Sequence, residues 1–274
     1  MLSKRVKSLI GLLTLVMFIG VSCVSGPVRT DGDGGGAEKR FYKGQRATII
    51  DILRDSREEM LNNNLDKAMA KATEAREKGE VMKDNLMRFS STLWISMISM
   101  LKKDTTKPVD YSSMDFLKGE DFETLFRNYL FVMYDLNAFD LKDKRLIGAL
   151  LSFHLSDKEL IEKGSSIADG IRKGGEITLA DLVETLFKSY AGLIKGTIDQ
   201  DSSNINDYKR RIVSSSDEIV SLTDNPKMDK EMSTVLKILA LYLKLIVVGS
   251  DRDMAAYEMT AKRFAGAFSL LQGK

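Results

Sequence analysis

Few groups in this chain can do chemistry: among 274 residues there is one His, His154, and one Cys, Cys23. A lone imidazole works as a base or ligand only beside partners, and spacing assigns His154 neither a serine nor a carboxylate, so no triad is read. It ends the apolar run 146–155, where a helix-end residue bonded to a carbonyl is the simpler reading. Asp199, Asp201 and Ser203 alternate as the first ligands of a calcium loop do. The sixth position is Asn204 and the twelfth Arg210, where such a loop needs Gly and a bidentate Glu. Asp31-Gly32-Asp33 fails in the same way, with Tyr42 at its twelfth position. Gly170 to Gly175 lacks the Lys-Ser/Thr ending of a phosphate-cradling loop and reads as a helix break. With one Cys, multi-Cys zinc sites and internal disulfides are excluded. No catalytic residue, metal or cofactor is therefore expected.

Binding is the chemistry left, and the aromatic cluster Phe122, Phe126, Tyr129, Phe131 and Tyr134 is its best candidate. Most of it follows one helical stripe and belongs to a core; Phe131 and Tyr134 lie off that stripe, as groove-lining rings would. Trp94 lies near its own stripe and reads as core. Lys plus Arg is 41 against 39 Asp plus Glu, and three of the bases lie in the first seven residues, leaving 38 against 39. So even a balance gives no reason to expect nucleic acid, whose binding rests on phosphate neutralisation.

Lys4, Arg5 and Lys7 precede 13 apolar or small residues from Leu9 to Val21, broken only by Thr14. That run is short of the roughly 20 residues of a spanning helix and has the form of a signal peptide. It ends in Val21-Ser22-Cys23, with Gly20 before them, and resembles the lipobox of bacterial lipoproteins. The resemblance implies a diacylated Cys23 as the mature N-terminus, a bacterial cell-envelope location and anchorage to a membrane, because two fatty chains hold where one is marginal. The Gly-, Ser- and Asp-rich stretch that follows cannot bury enough apolar surface to offset chain entropy and reads as a tether. The expected organisation is a signal peptide over 1–22, an anchored tether over 23–44 and one helical domain over 45–274.

What the tether carries reads as all-α. Apolar residues recur every three or four positions at Met82, Leu86, Phe89, Leu93 and Met97, and again at Met254, Tyr257, Ala261, Phe264 and Phe268. Thr178 is the expected N-cap of a helix carrying Leu179, Leu186 and Tyr190; Gly192 and Gly196 on it mark close packing. Asn225-Pro226 reads as cap and first residue of a helix running to about Val248, stopped by Gly249 and Ser250. Its apolar stretch from Val235 carries Lys237 and Lys244 and suits a central buried helix better than a membrane span. Residues 104–113, with Pro108, read as the longest loop.

Residues 47–80 read as a hairpin turning at Asn62-Asn63-Asn64, its second helix lined by Ala68, Ala72 and Ala75. This pair resembles a tetratricopeptide-type repeat of about 34 residues, in which small residues let neighbouring helices approach. The expected fold is thus an irregular helical bundle or a short α-solenoid of such hairpins. The expected function is non-enzymatic: protein binding or scaffolding in the envelope. The alternative is a carrier of an apolar or amphipathic small molecule that accompanies a membrane transporter.

Overall fold

The computed structural model describes residues 40–102, 121–138, 157–199, 203–225 and 228–270. The protein is all-α: the described residues form nine helices and no strand. They fall into two compact units. Residues 40–138 hold α1 (Gln45–Leu61), α2 (Leu65–Val81), α3 (Asn85–Leu101) and α4 (Phe122–Asp135). Residues 157–270 hold α5 (Asp157–Lys173), α6 (Ile177–Asp199), α7 (Ile205–Thr223), α8 (Lys230–Ser250) and α9 (Met254–Leu270).

One turn recurs. α1 ends with Asn63 at φ 62°, and the amide of Asn64 donates to Glu59 while that of Asn63 donates to Met60. These are the two bonds of a Schellman motif, which satisfy carbonyls a helix end leaves open. Lys83 (φ 52°), Asn137 (φ 56°), Gly175 (φ 91°) and Arg252 (φ 57°) occupy the same position after α2, α4, α5 and α8. In four of the five turns the next helix begins two residues later, so consecutive helices reverse direction over three residues. α1, α2 and α3 start at Gln45, Leu65 and Asn85, a step of 20 residues, so a helix pair spans 40 residues and not 34.

In the first unit α2 lies between α1 and α3, and it is thin by sequence. Its buried positions are Ala68, Ala72, Ala75 and Gly79 alone. A Cβ on Gly79 would lie 3.1 Å from the Arg88 backbone and 3.2 Å from Met87, so this glycine sets the approach of α3 rather than ending the helix. Because the stripe is small, α1 and α3 reach each other past it. The Trp94 indole N–H donates to the Ser56 hydroxyl at 3.1 Å, which donates to the Ala68 carbonyl at 2.7 Å. Trp94 is core, as its position near the stripe suggested.

In the second unit each helix packs chiefly on the next in sequence. α8 is its apolar centre: from Ser233 to Ser250 every residue but Lys237 is buried. It is long and apolar enough to cross a membrane, but 83% of that window is buried against protein. Three expected boundaries shift. α8 begins at Lys230, capped by the Asp229 carboxylate accepting from the Met232 amide at 2.8 Å; Asn225 lies just past the end of α7, and Pro226 is outside the described residues. Asp caps as well as Asn does. At its other end α8 runs through Gly249 and Ser250, and Arg252 makes the reversal. α6 begins at Ile177, so Thr178 lies in the first turn instead of capping it.

Lys237 and Lys244 face α7. The buried Lys244 ammonium donates to both oxygens of Asp217 at 2.6 and 2.7 Å, and Lys237 pairs with Asp224. With Asp251 pairing Lys209, the ladder steps by seven residues along α8 and sets the antiparallel register of α7 against it. Gly192 lets the Tyr208 ring of α7 lie on α6: a Cβ there would meet it at 2.6 Å.

Candidate functional site

Cys23, His154, Asp31-Gly32-Asp33 and the loop 104–113 lie outside the described residues, as do residues 200–202 of the calcium-like sequence. Gly170 sits inside α5 and Gly175 in the turn after it, so this stretch is a helix end and not a phosphate loop. Among the described residues no group of three His, Cys, Asp or Glu is placed to hold a metal ion.

Phe131 and Tyr134 do share a place, but the chain itself covers it. Tyr134 is buried, at 1% exposure, so it is part of the packing and does not line an open groove. Phe131 is half-buried, and Phe41 stacks on it at 4.2 Å between centroids and 10° between planes. Phe41 also meets Tyr134 edge-on at 5.2 Å. Phe41 comes from the segment that enters α1, and this strap, residues 40–44, is clipped to α4. The fully buried Asp135 carboxylate accepts the Phe41 amide on one oxygen and the Tyr42 amide on the other, both at 2.9 Å. The Tyr42 hydroxyl donates to the Asn128 carbonyl at 3.2 Å, and the Arg46 guanidinium sits 5.5 Å from the Tyr42 ring centroid. Burial pushes the Tyr42 phenol well above its ordinary range, so it remains a neutral donor.

Beside the strap, the turn from α2 to α3 opens a two-part cleft. Its apolar part, of about 500 Å³, lies between the first turns of α1 and the last turns of α2, floored by Ile49 and Met82 and flanked by Val81, Glu74, Glu77 and Lys78. Val81 is 85% exposed, the most exposed large apolar side chain among the described residues. Its polar part, of about 440 Å³, continues past Met82 to Asp84, Arg46, Asn85 and the α4 residues Thr124 and Asn128. Asp84 organises that end: it accepts the amides of Leu86 and Met87, capping α3, and holds the Arg46 guanidinium at 2.6 Å. That bond raises the Arg46 pKa further. A hydrogen bond from Lys78 holds the Glu74 carboxyl below its ordinary range. The cleft therefore offers an apolar floor beside fixed charges.

Sequence reasoning missed Val81, Met82, Arg46 and Asp84. One signal was present: Val81 lies off the Ala68–Ala72–Ala75–Gly79 stripe, an apolar residue where the helix pattern asks for a polar one. Met82 looked like the first residue of a helical stripe, but it caps α2, and α3 begins at Asn85. In comparisons with known protein families, curated proteins and solved structures, nothing matches the chain.

Proposed function

We propose that the protein is a lipid-anchored module of the bacterial cell envelope that binds another protein and catalyses no reaction. The observation that carries this reading is the open apolar cleft at the α1–α2 end with Val81 exposed on its rim. Exposed apolar surface next to fixed charges suits a partner's side chains. The membrane anchor rests on Cys23 and the lipobox-like leader. The carrier reading is second: the cleft has the volume of a small-molecule site, but a carried apolar ligand favours an enclosed one.

A photo-crosslinking residue placed at Val81 in the membrane-bound protein tests the reading, with one at the exposed Met259 of α9 as control. A discrete protein adduct from position 81 alone, lost in Val81→Glu, is expected. Equal, diffuse adducts from both positions overturn it, and an adduct with a small molecule in place of a protein transfers the cleft to the carrier reading. Cys23→Ala should release the protein from membranes; persistent membrane partition removes the anchor from the proposal.

A further inference from the structure

We propose that Phe131, Tyr134 and the Asp135 carboxylate on α4 form a peptide-recognition slot, which the chain's own strap occupies in cis. The slot adjoins the polar end of the cleft, sharing Arg46 and Asn128 with it, and would stand if the cleft bound nothing.

The ligand side has the features of a bound peptide. Two consecutive backbone amides, of Phe41 and Tyr42, are taken by the two oxygens of one carboxylate. One ring is stacked and edge-packed between two aromatic side chains, and the next residue is held through its hydroxyl and under a guanidinium. Main-chain bonds of this kind supply affinity, and side-chain pockets supply specificity.

The receptor side belongs to a regular helix: Tyr134 and Asp135 lie in the last turn of α4, and the seated strap completes their burial. Arg54 of α1 donates to the Asp135 carbonyl, which ties the slot to the first helix. The strap by contrast has no fully buried residue, and Lys43 and Gly44 are exposed. It joins α1 through Gly44 at φ 63°, ψ −139°, a conformation essentially reserved for glycine, and nothing lies within 4 Å of where a Cβ would be. An unencumbered hinge thus connects a half-buried strap to a rigid slot. Lifting the strap takes two amide donors from a buried carboxylate, which is costly unless another segment supplies them.

The ligand class follows: a peptide bent at the first of two adjacent aromatic residues, so that both of their free amides face one carboxylate. In the resting chain the strap competes at an effective concentration on the order of millimolar, as short linkers give. An outside peptide at micromolar concentration is thereby excluded until the strap is disabled.

The test uses the full chain and a fluorescent, end-blocked peptide of sequence Arg-Phe-Tyr-Lys-Gly, copied from residues 40–44. Phe41→Ala should bind this peptide at least tenfold tighter than the natural chain does. Adding Asp135→Ala, or replacing the peptide's Phe by Ala, should abolish the gain. Equal binding to both chains, or no binding to a Phe41→Ala chain of unchanged helicity, overturns the proposal. If that variant loses helicity, hydrogen exchange on the natural chain decides. The Phe41 and Tyr42 amides should exchange through an opening that leaves Ile50 and Leu53 protected. Exchange of all four only together overturns it.

Discussion

The two units solve the same problem, burying helices of which four consecutive pairs are joined by three-residue turns, with opposite materials. In residues 40–138 the middle helix contributes only Ala68, Ala72, Ala75 and Gly79, and polar groups reach inward: Arg57, Ser56 and Asp135 are all buried. In residues 157–270 the central helix is apolar on nearly every side, and α7 is indexed against it by Lys–Asp pairs. Large side chains and one ladder make a unit that packs on itself. Small side chains and polar ends leave hollows at helix termini, and there the cleft and the slot are found. The comparison sets a bulky apolar packing in one region against small-residue packing in the other, where both proposed binding sites lie.

The largest test removes bulk from the apolar unit. Phe264 is fully buried and packs at 6.1 Å from Tyr242, so Phe264→Ala should lower unfolding free energy by about 3–5 kcal/mol, read from urea denaturation. A loss under 1 kcal/mol would remove the contrast on that side. The complementary test adds bulk to the thin helix: Ala72→Leu, at a position with no exposure, should cost about 1–3 kcal/mol by the same measurement, because α1 and α3 already meet beside it. A neutral or stabilising result would mean that α2 is loosely packed and that the small stripe does not set the approach.

The ladder gives a third, internal comparison. Asp217→Ala leaves the buried Lys244 ammonium without its bidentate partner and should cost about 1–3 kcal/mol, discounted because Asp217 is 45% exposed. Lys244→Met, similar in length and without charge, should cost less than Asp217→Ala. The reverse order in denaturation would show that the ammonium contributes more than its burial penalty.

The smallest effect concerns pH. Hydrogen bonds from Lys188 and Arg172 hold the Glu184 carboxyl at about 2, below its ordinary value of 4.5. A carboxyl depressed in the folded state contributes stability that is present above its unfolded pKa and is lost as pH falls through 4.5 toward 2. Carboxyl NMR should show Glu184 titrating near that low value, and Lys188→Ala should move its midpoint upward. A midpoint near 4.5 in the natural chain would show that these surface bonds do not persist in solution.

Local patterns were legible where neighbours in sequence are neighbours in space. The Asn62-Asn63-Asn64 reversal, the break at Gly174-Gly175 and the buried character of α8 all followed from periodicity and turn chemistry. The start of α8 was misread because Asn225-Pro226 and Asp229 are competing caps only a few residues apart, and packing chose between them. The site was legible only in part. Phe131 and Tyr134 stood out as rings off a stripe, but their cover, Phe41, is about 90 residues away in sequence and carries no local mark of its destination.

Composition and periodicity alone determined that the chain is helical and where its apolar faces run. Those properties depend on residues within a few turns of each other. Tertiary structure alone decided that the described residues form two units, that Lys244 finds Asp217, and that Asp135 closes on the amides of Phe41 and Tyr42. The physical reason is that a buried charge or ring takes its meaning from what the fold brings within hydrogen-bonding or stacking distance, and contacts across 27 or 94 residues leave no period in a sequence.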